Sequence, residues 1–357
     1  MKPNDKRGII LGGSVVGIVS ALLAYLGNPQ NMGFCIACFI RDLAGSLGLH
    51  GNAKFQYFRP EIIGIILGSF LISVIKKEFT AKGGSAPLTR FALGFLVMEG
   101  CMMFMGCPFR MILRMAGGDI NAYVGLIGFV LGILTGVVFL KRGFSLGRNY
   151  RQSKMEGLIV PTVITVLLVV ALICPSILKS SQEGLGSKHA PMLISLAAGL
   201  IVGAIAQRTR LCMAGGIRDV FLFKDGKLIS GFISIFLSAL ITNLILSVAT
   251  SDTYLVFSAV DQTASHNVFY NNILGMYLVG LGSILLGGCP LRQLVLTGEG
   301  NTDSAVTFMG LVAGVVFAYG FGLFESNGQM NLYGDLVVYV GIVAALIIGL
   351  CNSRRKS

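Results

Sequence analysis

Long apolar runs separated by short polar segments are the feature that most constrains this chain. A helix of about 20 residues crosses a bilayer core of roughly 30 Å, and the runs have this length. Only 12% of the 357 residues are charged and 54% are hydrophobic, which is too little polar surface for a water-soluble protein of this size. The sequence therefore predicts an all-α polytopic membrane protein with about ten transmembrane helices, at residues 8–27, 60–76, 88–106, 120–141, 157–178, 190–207, 228–249, 269–288, 303–324 and 334–352.

The basic residues predict the orientation of these helices. Most of the 28 lysines and arginines fall on one side when the N- and C-termini are cytoplasmic, and the tail adds Arg354, Arg355 and Lys356. The net charge of +12 is spread between the apolar runs and forms no single patch, so it favours membrane orientation over nucleic-acid binding. We expect a multi-pass protein of the inner membrane whose first helix, after MKPNDKR, is not cleaved.

Two short phrases occur twice, in the same order. The first phrase is FCIACFIRD at residues 34–42, which recurs as LCMAGGIRD at 211–219. The second phrase is GCPFR at 106–110, which recurs as GCPLR at 288–292. The cysteines of the two phrases are separated by 72 residues in the first half and by 77 in the second. Two matches at nearly equal spacing indicate an internal repeat.

The position of the repeats predicts that the two halves are inverted. Five predicted spans separate equivalent phrases, so the second copy should cross the membrane in the opposite direction, with a site near the midplane where broken helices meet. We divide the chain into a first half with a basic cytoplasmic loop (1–156), a connecting span (157–189), a second, inverted half (190–333), and a final span with a basic tail (334–357). Each half should contain two short, re-entrant helices, which makes four in all.

The Gly-Cys-Pro phrases predict thiols at helix N-termini. Proline is favoured in the first helical turn, so Cys107 and Cys289 should each precede a short helix. Free N–H groups and the helix dipole favour anions there and make a thiol a better donor or nucleophile. Arg110 and Arg292, three residues further on, add donors suited to oxyanions.

The other polar residues of the apolar runs are less specific. Arg41–Asp42 and Arg218–Asp219 favour a structural charge pair slightly over ligand binding. Glu99 and Cys101 lie inside a span, where a carboxylate suggests function, but Glu99 has no counterpart in the repeat and its role stays open.

The remaining cysteines have plainer interpretations. Cys38 completes Cys-x-x-Cys with Cys35, which suits a disulfide, a redox pair or half a metal site. Its counterpart is Gly215, so the function common to both halves does not require it, and no metal or cofactor is expected. We assign Cys174 and Cys351, which lie outside the phrases, to helix packing.

The paired phrases resemble those of the YeeE/YedE sulfur-transport family, over roughly residues 8–350. The Gly-Cys-Pro-x-Arg form is closer to its YedE branch, proposed to carry selenium compounds. The resemblance implies an hourglass-shaped bundle whose narrow part is lined by cysteines that pass thiosulfate along by S–H hydrogen bonds. Cys107 and Cys289 match that pattern most clearly and Cys35 and Cys212 next. The prolines and Arg110 and Arg292 depart from the thiosulfate branch, so a more strongly charged sulfur or selenium oxyanion also fits.

The sequence therefore predicts a transporter, not an enzyme, that takes up a small sulfur- or selenium-containing anion. Its partners would be that anion, membrane lipid and a cytoplasmic sulfur-accepting protein at the basic loops 141–156 and 207–228. The primary site would be Cys35, Cys107, Cys212, Cys289, Arg110 and Arg292, with Cys38, Cys101, Glu99, Arg41 and Arg218 as secondary residues. Two alternatives remain: a membrane thiol redox or sulfur-transfer enzyme, and a non-selective anion channel.

Overall fold

Helices make up nearly all the regular structure of the protein. The computed structural model describes residues 5–250, 253–260, 262–324 and 329–353. Lys2 and the basic tail residues used to predict orientation lie outside these ranges. The described helices are α1 Lys6–Tyr25, α2 Ile36–Ser46, α3 Pro60–Ile75, α4 Pro87–Met103, α5 Pro108–Ala116, α6 Ile120–Lys141, α7 Lys154–Ile173, α8 Met192–Thr209, α9 Met213–Phe223, α10 Lys227–Thr250, α11 Phe269–Leu286, α12 Pro290–Gly298, α13 Thr302–Gly320 and α14 Leu332–Cys351.

The prediction of an all-α polytopic membrane protein is confirmed. Within the described ranges, nine candidate spans are long and apolar enough to cross a membrane, and α3 is an apolar helix of 16 residues. Four helices are short: α2, α5, α9 and α12, of 9 to 11 residues. The described strands are β1 (Lys82–Gly83) and β2 (Tyr150–Arg151), which pair antiparallel.

One predicted span is displaced. The span at 157–178 is observed as α7, which begins at Lys154 and ends at Ile173. The Ser153 side chain accepts a hydrogen bond from the N–H of Met155. The helix therefore begins at Lys154 and includes the charged residues Lys154 and Glu156 in its first turn. Pro175 follows the helix, which restricts the preceding residue and ends the helix early.

Proline and polar caps set the starts of the helices that surround the cysteines. Pro60, Pro87, Pro108 and Pro290 each occupy the first turn of a helix, where the missing N–H costs no hydrogen bond. The side chains of Asp119 and Asn301 accept backbone N–H groups at the starts of α6 and α13. These two caps are equivalent in the repeat, so the halves also share their local helix-start chemistry.

The packing of the two halves is reciprocal. Helix α1 packs on α10 as α8 packs on α3, and α4 packs on α13 as α11 packs on α6. The short helices follow the same rule, since α5 contacts α10 and α12 contacts α3. Each main helix–helix contact therefore has a counterpart in which both helices are replaced by their equivalents from the other half, as expected for two copies of one unit.

Glycines allow the paired helices to approach at backbone distance. A Cβ atom added at Gly132 of α6 would lie 2.1 Å from the carbonyl oxygen of Tyr277 in α11. At Gly203 of α8 it would lie 2.2 Å from the carbonyl oxygen of Ile65 in α3. In a membrane, where lipid competes for apolar surface, such close contacts are a main source of helix association.

We expect Gly132→Val to destabilise the protein, because its side chain would separate α6 from α11. Overpacking of this kind costs about 1–3 kcal/mol. Thermal unfolding in detergent, followed by circular dichroism at the helical minimum, should show a melting temperature several degrees below wild type. The control is Gly320→Ala, where an added Cβ meets no atom within 4 Å. Equal melting temperatures for Gly132→Val and wild type would contradict the packing role.

Candidate functional site

Four cysteines occupy the N-cap positions of the four short helices. Cys35 and Cys212 precede α2 and α9 with similar backbone angles, φ −145°, ψ 107° and φ −155°, ψ 113°. Cys107 and Cys289 precede α5 and α12, both with extended backbone and with ψ angles of 169° and 168°. The predicted placement of thiols at short-helix starts is therefore present in each half.

The first cysteine cluster consists of Cys35, Cys38 and Cys107. The Cys35 sulfur accepts the N–H of Cys38 at 3.2 Å, and the Cys107 sulfur accepts the N–H of Ile36 at 3.2 Å. The sulfurs of Cys35 and Cys38 are 2.7 Å apart, and both residues are buried, as is Cys107. Two short helices from distant parts of the first half thus begin at one group of thiols.

Arg110 lies fully buried beside the first cysteine cluster. Its guanidinium donates to the carbonyl oxygens of Met105, Asn31, Thr263 and Ala264, and one nitrogen lies 3.9 Å from the Cys38 sulfur. Within the described residues it has no carboxylate at ion-pair distance. Among the described residues, the oxygens that contact this charge are all neutral.

The second cysteine cluster is the pair Cys212 and Cys289. The Cys212 sulfur accepts the N–H groups of Gly215 at 3.3 Å and of Cys289 at 3.4 Å, and the two sulfurs are 3.7 Å apart. Arg292 is only partly buried and pairs with Glu299 at 3.1 Å. The repeat-related arginines therefore differ, because one has an acidic partner and the other has carbonyl oxygens.

The sulfur contacts lie within each half. Cys107 contacts the start of α2 and Cys289 contacts Cys212, as the sequence paired them. Among the described contacts none joins Cys107 to Cys289, so the expectation that both line one passage stays a prediction.

The Arg-Asp phrases form ion pairs between adjacent residues. Arg41 pairs with Asp42 at 2.8 Å, and the other Asp42 oxygen pairs with Arg59 at 2.7 Å. In the second half Arg218 pairs with Asp219 at 2.8 Å, nearer the surface. The first-half pair connects α2 to the start of α3, and whether it also contacts a ligand stays a prediction.

Glu99 and Cys101 are buried in α4. Both carboxyl oxygens of Glu99 lack a hydrogen-bond partner among the described residues. An ionised carboxylate is very costly in such surroundings, so the neutral acid is the favoured form. The structure shows no contact of Glu99 with either cysteine cluster, and its role stays open.

Cys174 and Cys351 are exposed on the protein surface, so their assignment to helix packing was wrong. Each lies at the C-terminal end of a long helix, where the bundle leaves the outward face uncovered by protein. In the described part of the chain, no three His, Cys, Asp or Glu side chains are grouped to hold a metal ion.

Sequence reasoning missed the charges that anchor the first cluster. Arg114, fully buried in α5, pairs with Asp119 at 2.7 Å and donates to the carbonyl oxygen of Phe104. It also donates to the hydroxyl of Ser265, and His266 contacts the carbonyl oxygen of Met103 at 2.7 Å. The phrase RMILR, with two arginines four residues apart, was the available signal, since both lie on one face of a helix.

Comparison with known proteins gives a family match that lies in the second half and the final span of the chain. Residues 208–349 match the family described as Sulphur transport. This segment is therefore similar to the sulphur-transport family. The resemblance predicted from the phrases is thereby confirmed, and the matched segment contains Cys212, Cys289 and Arg292.

Two curated relatives are similar over part of the chain. The thiosulfate transporter TsuA of Spirochaeta thermophila is 35% identical over 120 residues, which are 33% of this chain and 34% of the relative. The thiosulfate transporter TsuA of Escherichia coli is 30% identical over 115 residues, 32% of this chain and 30% of the relative. The chain spans about a third of the length of the curated relatives it matches.

We expect Asp42→Asn to be strongly destabilising, because it leaves the fully buried Arg59 without its carboxylate. Breaking one partner of a buried ion pair costs about 3–5 kcal/mol. The matched control is Asp219→Asn, whose pair is partly exposed and should cost at most about 1 kcal/mol. Unfolding in mixed detergent micelles with increasing SDS measures both. Similar losses for the two variants would show that burial of the first pair is unimportant.

We also expect two classes of thiol. In detergent, N-ethylmaleimide should modify Cys174 and Cys351 quickly, while the six buried cysteines react only on unfolding. Mass spectrometry of the intact chain would show two adducts before a slow rise. Rapid modification of Cys107 or Cys289 in the folded protein would contradict their burial.

Proposed function

We propose that this protein carries a small sulfur-containing anion across the membrane, with thiosulfate as the first candidate. The names of both relatives and the description of the matched family support transport of such an anion. Selenite is a second candidate, because Arg110 and Arg292 suit a strongly charged oxyanion. The path would pass both cysteine clusters.

The observation that carries the proposal is that Arg110 is buried and, among the described residues, has no carboxylate at ion-pair distance. A buried cation is costly unless a counter-charge or full hydrogen bonding compensates its lost hydration. Four carbonyl oxygens supply hydrogen bonds but no net negative charge. An anion that reaches the first cluster would supply that charge, so Arg110 favours anions over neutral solutes.

The cysteine sulfurs explain how an anion containing sulfur would be recognised. Each sulfur of Cys35, Cys107 and Cys212 now accepts backbone N–H groups at a helix start. A terminal sulfur or oxygen of the anion is an acceptor of the same kind and can take these N–H groups. The thiol can then donate its S–H to the anion. Such contacts are individually weak, which permits release as well as binding.

The direction of transport follows from the predicted inverted orientation. With both termini in the cytoplasm of an inner-membrane protein, the first cluster would receive the anion outside and the second would release it inside. The basic segments 141–156 and 207–228, the second of which contains α9, would then face a cytoplasmic sulfur-accepting protein, and lipid would surround the exposed apolar helix faces.

Uptake into vesicles tests the proposal. We expect Cys107→Ala, Cys289→Ala and Arg110→Gln each to lower the uptake of ³⁵S-thiosulfate at least about tenfold, the effect of losing roughly 1.4 kcal/mol at the barrier. Cys174→Ala is the control, because its thiol is exposed and distant in sequence from the clusters. Normal uptake by both Cys107→Ala and Cys289→Ala would exclude the thiol mechanism.

Competition separates a selective carrier from a non-selective anion channel, which the charge of Arg110 alone would also support. Selenite and sulfite should compete with thiosulfate in wild-type vesicles, whereas an excess of chloride should not. Strong inhibition by chloride would favour the channel.

A further inference from the structure

A cavity of about 360 Å³ is lined in part by residues that flank the second cysteine cluster in sequence. This cavity was not predicted from the sequence. Its walls include Lys82, Gln207, Arg208, Arg210 and Arg292, together with Glu78, Leu296 and Glu299. Arg210 is two residues before Cys212, and Arg292 is three residues after Cys289. We call this space the basic cavity.

The charges of the basic cavity do not cancel. Arg208 pairs with Glu78 at 2.8 Å and Arg292 with Glu299 at 3.1 Å. Lys82 and Arg210 have no carboxylate at ion-pair distance within the described residues, so the cavity carries two uncompensated positive charges. Hydrogen bonds from Gln207 and Arg208 lower the pKa of Glu78, which lies between helices, so its charge is already included in this balance at neutral pH.

At the repeat-related position in the first half, the cavity lined by Asn31 and Gly33 has a volume of only about 10 Å³, far smaller than the basic cavity. There Arg110 is fully buried, and the carbonyl oxygens of Thr263 and Ala264 cover it. The residues equivalent to Arg208 and Arg210 are the uncharged Asn31 and Gly33. The two extra arginines therefore belong to the second half alone, and the repeat does not explain them.

We propose that the basic cavity is a binding site for a divalent sulfur oxyanion, which it holds by charge and guanidinium hydrogen bonds without a thiol contact. The inference rests on the proposed function only in taking the sulfur anion as the natural ligand. Two uncompensated cations match the charge of a dianion, and the arginine forks suit its oxygens. The volume admits a small oxyanion with part of its hydration shell. In transport, the site would hold the anion after it leaves Cys212 and Cys289.

Equilibrium binding to the full-length protein in detergent tests the site. We expect ³⁵S-thiosulfate and ³⁵S-sulfate both to bind, because sulfate has the same charge and no sulfane sulfur. Lys82→Gln/Arg210→Gln should weaken both affinities at least about tenfold, since two nearby charges are lost and both ion pairs remain. Glu78→Gln should tighten binding, because it removes a negative charge. The control with the same charge change is Lys179→Gln/Lys188→Gln, on exposed residues outside the cavity.

The outcomes separate this site from the transport proposal. Binding of both dianions that survives Cys212→Ser/Cys289→Ser and is lost in Lys82→Gln/Arg210→Gln supports the cavity, even if vesicles take up no thiosulfate. Unchanged affinity in Lys82→Gln/Arg210→Gln overturns it, even if uptake depends on the cysteines. Binding of thiosulfate without sulfate also overturns it, because recognition would then require the sulfane sulfur.

Discussion

Backbone N–H groups at the start of a helix need acceptors, and this protein places four such starts inside a bundle of long apolar helices. Water and lipid supply few acceptors there, and an unpaired N–H is costly. Cysteine sulfur fills that role in Cys35, Cys107 and Cys212, which accept N–H groups at the starts of α2 and α9 and from Cys289. Because sulfur is a weak acceptor, these bonds are easier to exchange than those of a carboxylate cap. A site that must bind and release an anion benefits from that weakness.

The two halves share this cap and differ in their charges. Arg110 and Arg292 follow equivalent cysteines, but Arg110 is covered by the segment that contains Thr263 and Ala264, whereas Arg292 faces the basic cavity. The neighbouring residues also differ between the halves. In the first half Arg114 pairs with Asp119 in the interior, whereas in the second half Glu299, the partner of Arg292, occupies the position of Gly117. The two copies of the repeat therefore have unlike electrostatic environments.

Sequence periodicity and spacing were sufficient for the helices and for the cysteine caps. The span length is set by the bilayer, and Gly-Cys-Pro sets a helix start, so both depend on local rules. The partners of the arginines depend on tertiary packing instead. Asp42 is in α2 and Arg59 precedes α3, and two of the four carbonyl oxygens that hold Arg110 come from a loop more than 150 residues away. No local pattern indicates such contacts. The exposure of Cys174 likewise depends on which helix faces remain uncovered.

Cys38 shows how the shared and the specific parts of the site separate. Its backbone N–H donates to the sulfur of the N-cap residue Cys35, as the N–H of Gly215 donates to Cys212, so the contact needs only the peptide group at this position, and a glycine serves equally well. The Cys38 side chain adds a second sulfur beside Cys35 and within 3.9 Å of the guanidinium of Arg110. The duplicated phrase thus keeps the backbone contact in both copies, while the side chain at the same position supplies extra sulfur only in the first half, beside the buried Arg110. The first cluster is therefore distinguished from the second by the extra sulfur of Cys38 and by the surroundings of Arg110, whereas the N-cap contacts of Cys35 and Cys212 are common to both.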